Sequence, residues 1–283
     1  MTSHPKKTTR PLVGFIGAGN MARSLAGGLL KNGWDKTRVL MSDPDPAQRQ
    51  AVESLLQLSV FAENDAVAAR ADILVLAVKP QVLSTVAIAL AKNVQKKKPL
   101  VLSIAAGVRI ADIEHWLGQD LAIVRGMPNT AALIGSGASG LYANRHVSPS
   151  LRDEAESILR AVGVTVWVAE EPLLDVVTAL SGSGPAYFFL VMEALEQAAI
   201  ENGLEPAQAR LLTLETAYGA AKMALEGGDE PGLLRARVTS PGGTTEQAVN
   251  TLEAGGLRQL LQAAMHAAII RARELAKLFG SQA

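Results

Sequence analysis

Leu12-Val13-Gly14-Phe15-Ile16-Gly17-Ala18-Gly19-Asn20-Met21-Ala22 is the stretch on which the fold turns. A short, β-prone apolar run ends at Gly17 and Gly19, and a helical pattern of Met21, Leu25, Leu29 and Leu30 follows at once. The order is strand, glycine turn, helix. Gly17 can take the backbone angles of a tight turn, and Gly19 lets the main chain approach a pyrophosphate with no Cβ in the way. Ala22 holds the third place of Gly-x-Gly-x-x-Gly/Ala, where a small residue lets the helix pack closely on its strand. The free N–H groups and positive dipole end of that helix then face phosphate. A second strand-like segment, Arg38 to Asp43, places Ser42 and Asp43 where a dinucleotide's adenosine ribose is met. Asp43 lies 24 residues beyond Gly19. The motif is read as a dinucleotide site in preference to a bare strand–helix turn.

The rest of the N-terminal half repeats the theme. An amphipathic helix over 46–58 opens at the turn Asp43-Pro44-Asp45-Pro46. A short strand near Val60 and a helix over 64–70 lead to Asp72-Ile73-Leu74-Val75-Leu76-Ala77-Val78, a continuous apolar run of the kind a parallel strand buried on both faces shows. It stops at Lys79-Pro80, and the proline opens the next helix. Further strands are expected at 99–104, 121–125 and 164–168, with a helix over 150–161 before the last. Such βα alternation argues for an α/β, doubly wound, mainly parallel sheet over residues 11–170. In that architecture ligands bind beyond the carboxyl ends of the strands. One crevice should therefore be lined by Gly17 to Ala22, Lys79-Pro80, Ala105-Ala106-Gly107 and Met127-Pro128-Asn129.

After Glu170 the pattern changes to long helices at 185–202, 206–226 and 257–279, separated by Gly203, Gly227-Gly228 and Gly255-Gly256. Residues 171–283 read as an all-α domain. Its apolar faces are wider than a lone bundle of its size needs, which predicts dimerisation through these helices. The most apolar stretch, 186–200, is interrupted by Glu193, Glu196 and Gln197, so it is expected to be a buried helix rather than a membrane span.

Composition narrows the function. The 283 residues carry 27 basic and 27 acidic side chains, so no electrostatic footprint points to nucleic acid or an anionic membrane. The one basic run, Lys96-Lys97-Lys98, is read as a solvated loop before a strand. There are no cysteines, which excludes disulfides and thiolate chemistry and suits a reducing cytoplasm. Residues 1–10 are polar, without the apolar core of a signal peptide, and read as a disordered tail. His4, His115, His146 and His266 show no ligand spacing, and no metal site is expected. With hydrolytic and phosphate-loop signatures missing, catalysis must rest mainly on a bound cofactor.

Two glycine-rich stretches in the helical half invite a functional reading. Ser181-Gly182-Ser183-Gly184-Pro185-Ala186-Tyr187 reads equally as a tight helix connection, with Ser183 as cap, and as a ligand turn. In Val238-Thr239-Ser240-Pro241-Gly242-Gly243-Thr244-Thr245-Glu246-Gln247, Thr244-x-x-Gln247 has the form of a capping box. Capping alone needs neither two threonines nor two glycines. Several N–H groups and two hydroxyls at a helix start make a cradle for a small carboxylate, and that reading is preferred.

Together these stretches carry a resemblance. Gly14 to Met21, Ala77-Val78-Lys79-Pro80, Ser103-Ile104-Ala105-Ala106-Gly107, Met127-Pro128-Asn129-Thr130, Ser181 to Tyr187 and Ser240 to Thr245, in this order and spacing, resemble the pyrroline-5-carboxylate reductases over about residues 12–278. The resemblance implies a Rossmann-type domain followed by a helical domain that interlocks with a second subunit, in dimers that often gather into a decamer. It implies reduction of the cyclic imine 1-pyrroline-5-carboxylate to proline by NADPH or NADH. Ile16, Gly17, Ala18, Gly19, Asn20, Met21, Asn64, Ala77, Val78, Lys79 and Pro80 would touch the cofactor, joined by the residues placed above at the strand ends (Ser42, Asp43, Ala105, Ala106, Gly107 and Asn129). The substrate would be held by Val238, Ser240, Gly242, Gly243, Thr244 and Thr245 from the partner subunit, with Thr245 bonded to the ring nitrogen as the catalytic candidate. An imine that enters as its iminium needs no strong protein acid, only positioning over the nicotinamide.

Two departures stand out. Many members have proline where this chain has Ala131, a change in loop stiffness. Asp43 stands where members that favour NADPH carry small or basic residues, and a carboxylate repels a 2′-phosphate. Arg49 sits one turn into the next helix as a partial counterweight, and Asp43 could also simply cap its turn. The balance leans to good use of NADH, with the preference open. Competing readings are a reductase of another imine or of a β-hydroxy acid, and a non-catalytic dinucleotide sensor. Against the β-hydroxy acid enzymes, Lys222 lacks the context of a catalytic lysine. Against the sensor stands the intact Ser240-Pro241-Gly242-Gly243-Thr244-Thr245.

Overall fold

The computed structural model describes residues 10–280. Eight strands form one sheet: β1 (Val13–Ile16), β2 (Val39–Ser42), β3 (Val60–Phe61), β4 (Ile73–Leu76), β5 (Leu100–Ser103), β6 (Ile123–Met127), β7 (Gly137–Ala143) and β8 (Gly163–Trp167). Their spatial order is β3-β2-β1-β4-β5-β6-β7-β8. From β3 to β6 every neighbouring pair is parallel, β7 then runs antiparallel to β6, and β8 runs parallel to β7. The chain winds outward from β1 in both directions, so the topological switch lies between β1 and β4.

The helices of this part are α1 (Asn20–Lys31), α2 (Pro46–Leu56), α3 (Asn64–Ala68), α4 (Pro80–Lys97), α5 (Ile110–Leu117) and α6 (Pro149–Arg160). They cover both faces of the sheet. Val13, Phe15, Ile73, Val75, Leu102 and Val124 point to one side, onto Leu25 and Leu29 of α1 and Ile158 and Leu159 of α6. Ile16, Leu74, Leu76, Val101 and Ile123 point to the other, onto Val67, Leu83, Leu90, Ile113 and Trp116 of α3, α4 and α5. Alternate residues of one strand thus feed two cores, which is why the strands read as unbroken apolar runs.

After β8 the chain is helical: α7 (Leu173–Val177), α8 (Gly184–Glu201), α9 (Pro206–Glu226), α10 (Pro231–Arg237), α11 (Thr244–Ala254) and α12 (Leu257–Gly280). The described residues up to Ser183, with those from Ala268 onward, form one compact unit, and Gly184–Ala267 form a second. The end of α12 therefore belongs to the first unit, where Phe279 joins the core beneath α5.

Several expectations need correction. β7 was not foreseen, and it reverses the sheet direction. Lys96 and Lys97 close the last turn of α4 and Lys98 caps it, where cations offset the negative end of the helix dipole. Lys97 also pairs with Asp72 at 2.7 Å. The Ser181–Tyr187 stretch is no turn between helices. A π-helical segment spans Thr178–Gly182, and the Ser183 amide donates back to the Thr178 carbonyl at 2.8 Å, so Ser183 closes that segment as its C-cap. The 186–200 stretch is not buried within a single chain: Phe188, Phe189 and Leu190 are each about two-thirds exposed. The continuous helix 173–201 is long and apolar enough to cross a membrane by length and composition. The tail expected at 1–10 falls largely on residues 1–9, outside the described residues. Arg10 itself donates to the Asn32 carbonyl at 3.1 Å and accepts from Arg38.

Candidate cofactor and substrate sites

The parallel strands β1, β4, β5 and β6 deliver their carboxyl ends to one edge of the sheet, with Ile16 level with Leu76, Leu76 with Ser103 and Ser103 with Arg125. The segments foreseen as crevice lining leave the sheet there. Gly17 turns with φ +98°, and its amide donates to the Ser42 carbonyl at 2.8 Å. A Cβ on Gly17 would lie 2.8 Å from the Ala77 carbonyl oxygen and 3.1 Å from Val78, so both conformation and space require glycine. Gly19 differs. Its φ of −68° suits any residue, and a Cβ there would meet no protein atom within 4 Å. The fold makes no demand for glycine at that position, which leaves room for a molecule approaching the loop.

That molecule would meet an open helix start. Gly19 is the N-cap of α1, no side chain caps it, and its first turn carries no acidic residue. Ala22 is buried against the strand as its place in the motif requires. Around the loop, the Ala18 amide donates to Asp43 Oδ2 at 2.8 Å, and Ser42 Oγ donates to Asn64 Oδ1 at 2.8 Å. Ile16, Gly17, Ala18, Ser42, Asp43, Asn64, Ala77 and Val78 are thus joined by direct contacts, with Asn20 and Met21 opening α1. Lys79 is the N-cap of α4, again without a side-chain cap, and Pro80 is its first residue. Ala105, Ala106 and Gly107 follow β5, with Gly107 at φ +75° packed on Phe279. Asn129 follows β6 and is tied into the protein: Oδ1 accepts from the Ala138 amide and Nδ2 donates to the Ser181 carbonyl, both at 3.0 Å. These residues could hold a dinucleotide, whose pyrophosphate would face the uncapped start of α1.

The second unit carries the other foreseen residues. Val238 follows α10 and is exposed. Ser240, Gly242 and Gly243 form a turn closed by the Gly243 amide on the Ser240 carbonyl at 3.0 Å, with Gly242 at φ +73°. α11 begins at Thr244 with Gly243 as an N-cap that has no side-chain partner, so the Thr244–Gln247 capping box does not form. Glu246 reaches back instead and accepts from the Gly242 amide at 2.8 Å. Thr244 and Thr245 lie at that helix start, with hydroxyls that take no part in capping.

Sequence reasoning passed over a charged cluster. Arg109, Arg125, Glu171, Asp175, Arg273 and Lys277 line a cavity in the first unit. Arg125 Nη1 donates to Glu171 Oε1 at 2.6 Å, and the same oxygen accepts from the Ile110 amide at 2.8 Å. Burial holds the Asp175 carboxyl above its usual range, against the pull of Arg125 and Arg273. The visible signal was an arginine inside the apolar strand Ile123-Val124-Arg125.

A Rossmann-type sheet with an open glycine loop, followed by a helical unit with an exposed apolar surface, defines a class: the two-part nicotinamide-nucleotide oxidoreductases. Residues 12–107 match the family model described as NADP oxidoreductase, coenzyme F420-dependent, and residues 171–275 match pyrroline-5-carboxylate reductase dimerisation. The pyrroline-5-carboxylate reductase of Pseudomonas aeruginosa is 48% identical over 95% of this chain and 98% of its own. That of Methanosarcina acetivorans is 41% identical over 95% and 98%. A solved structure of the Coxiella burnetii reductase covers 94% of this chain and 99% of its own at 45% identity and a TM-score of 0.91. The Plasmodium falciparum structure with NADP bound covers 95% and 99% at 28% and 0.83. The chain belongs to the pyrroline-5-carboxylate reductase family.

Proposed function

We infer that this chain reduces 1-pyrroline-5-carboxylate to L-proline with NADPH or NADH, the last step of proline synthesis. The observation that carries the reading is likeness along the whole chain, both units included, to reductases of that name. The nicotinamide nucleotide, when bound, supplies the hydride for the imine carbon. The protein's work is to bind and orient. The open N-terminus of α1 takes the pyrophosphate, with Gly19 allowing close approach, while Ser42, Asp43 and Asn64 meet the adenosine end. Lys79-Pro80, Ala105 to Gly107 and Asn129 border the same strand ends. The turn around Ser240, Gly242 and Gly243 and the start of α11 at Thr244 hold the substrate carboxylate through N–H groups, beside Val238. Thr245 hydrogen-bonds the ring nitrogen, its hydroxyl donating to a neutral imine and accepting from the N–H of an iminium. A ring nitrogen already protonated needs no further acid, so positioning supplies most of the rate.

The domain division in this reading is 11–170 for cofactor and 171–283 for substrate and dimerisation. The exposed Phe188, Phe189, Leu190, Leu211, Leu212 and Leu260 support a homodimer in which a second copy covers them, with a decamer as the higher assembly. Zero net charge and the lack of cysteine support a cytoplasmic enzyme with no nucleic-acid or membrane partner. Purified protein mixed with 1-pyrroline-5-carboxylate should consume reduced nicotinamide and yield proline. A Thr245→Ala variant should lose at least about tenfold in kcat/KM while binding cofactor normally, the scale of a lost transition-state hydrogen bond. Cofactor that binds but is not consumed would refute the assignment, and a fully active Thr245→Ala would remove that residue from the mechanism.

A further inference from the structure

The charged cavity of the first unit has a volume of about 310 Å³, with Pro172 and Ala276 as apolar lining. Separate elements bring its charges together. β6 supplies Arg125, the start of α7 supplies Glu171 and Asp175, and α12 supplies Arg273 and Lys277, one turn apart on one face. None of the residues foreseen for cofactor or substrate lines it.

The charges do not cancel. Arg109 is answered by Asp112, which does not line the cavity, through two bonds at 2.9 Å from Nε and Nη2. Arg125 spends only Nη1, on Glu171. Its Nε and Nη2, the edge by which Arg109 grips a carboxylate, take no acceptor among the described residues. The Arg125 side chain is 9% exposed, so those donors have little bulk water to turn to. Arg273 comes no nearer Asp175 than 3.8 Å, too long for a hydrogen bond, and Lys277 has no ion pair among the described residues. Arg125, Arg273 and Lys277 therefore face Glu171 and Asp175 with positive charge in excess and donors unspent. Burial, which holds the Asp175 carboxyl above its usual range, adds to that excess, and a neutral carboxyl is itself an O–H donor.

We propose that this cavity binds a compact oxyanion, a small carboxylate or a phosphate, on Arg125, Arg273 and Lys277. The Nε and Nη2 edge of Arg125 suits two parallel hydrogen bonds to either group. Arg273 and Lys277, both exposed, draw the anion in from solvent, and Pro172 and Ala276 take an apolar body.

The test is isothermal titration of sodium succinate, and separately of inorganic phosphate, against sodium chloride of equal ionic strength. Saturable binding of at least one is expected. The double variant Arg273→Gln/Lys277→Gln should weaken it by about tenfold or more, the scale of a lost charge-assisted hydrogen bond. Both side chains are exposed, so this variant should keep the wild-type melting temperature. Asp175→Asn removes a negative charge and keeps a donor, so it should tighten binding. Arg271→Gln, paired with Glu274 on the same helix and absent from the lining, should leave binding unchanged. Binding of succinate alone would make the occupant a carboxylate, and of phosphate alone a phosphoryl group. No saturable binding would overturn the proposal, as would an affinity undiminished in the double variant or equally diminished by Arg271→Gln. An affinity lost in Asp175→Asn would also overturn it, since the occupant would then set a cation against that carboxylate.

Discussion

Removing Glu171 should cost this protein more than any exposed ion pair could. Its Oε1 holds two donors at once, the Arg125 guanidinium at 2.6 Å and the amide of Ile110, the first residue of α5, at 2.8 Å. The side chain of Arg125 is 9% exposed and that of Glu171 23%. Glu171→Ala leaves a nearly buried cation without its carboxylate and an amide without an acceptor. Breaking a fully buried pair costs about 3–5 kcal/mol, and an orphaned hydrogen-bonding group adds about 1–3. Water reaches Glu171, and Asp175 still faces the arginine, so the net expectation is about 2–3 kcal/mol. For a unit of this size that is a fall of roughly 5–10 °C in Tm. All three tryptophans (Trp34, Trp116 and Trp167) lie in the first unit, so intrinsic fluorescence in urea reads the loss directly. Replacing both partners, Arg125→Met with Glu171→Met, should recover most of it, because an apolar pair leaves no uncompensated charge. A Glu171→Ala variant within about 0.5 kcal/mol of wild type would refute this account. So would a double variant no more stable than the single one.

Two other substitutions probe the loop and the strand beneath it. Gly17→Ala places a Cβ 2.8 Å from the Ala77 oxygen at φ +98° and should weaken dinucleotide binding by about tenfold or more, read by cofactor fluorescence. Unchanged affinity would show that the turn tolerates the side chain. Burial raises the Asp72 carboxyl, but the hydrogen bond from Lys97, the Leu12 amide and the Lys97 charge outweigh it, so the folded value lies below the usual carboxylate range. Its stabilisation is present above the unfolded value near 3.9 and is lost as pH falls through the folded one. Asp72→Asn should therefore lag wild type at pH 7, by under about 1 kcal/mol given the exposure of the pair, with the gap closing as pH falls from 5 to 3. A gap that widens on acidification would refute the assignment.

What the sequence made legible was whatever a local rule dictates. Strands β1, β2, β4, β5 and β6 each bury both faces and so advertise themselves as apolar runs. β7 does not, and its composition shows why. Gly137-Ala138-Ser139-Gly140 is poor strand material, yet a Cβ on Gly140 would lie 2.7 Å from Val177 and one on Gly137 2.9 Å from the Val162 carbonyl. The strand is made of small residues because its neighbours press close, a constraint of tertiary packing that local propensity hides. The π-helical segment was misread for a related reason. Ser181-Gly182-Ser183-Gly184 looks like a turn, but a Cβ on Gly182 would lie 2.9 Å from Met127, so that glycine serves a close contact inside a continuous helix. Arg125 was visible in its strand, but the carboxylate that answers it lies 46 residues away.

The same logic separates the two candidate sites. The glycine loop is legible because each requirement falls on a recognisable residue type: Gly17 by its own φ, Gly19 by the space around it, Asp43 by the Ala18 and Asp45 amides its carboxylate accepts from. The turn before α11 has no such closure. Its glycines and threonines are exposed or half-buried, and no protein atom within 4 Å explains Gly242 beyond its positive φ. One contact bears on the proposed carboxylate site. The Gly242 amide already takes a carboxylate, that of Glu246, in a 2.8 Å bond. An N–H that donates to a carboxylate from the adjoining helix has the geometry and polarity to donate to one on a substrate. Glu246 would then have to release it, or share it through the neighbouring amides of the α11 start. The residue that occupies the cradle in the single chain is thus itself a measure of the cradle's chemistry.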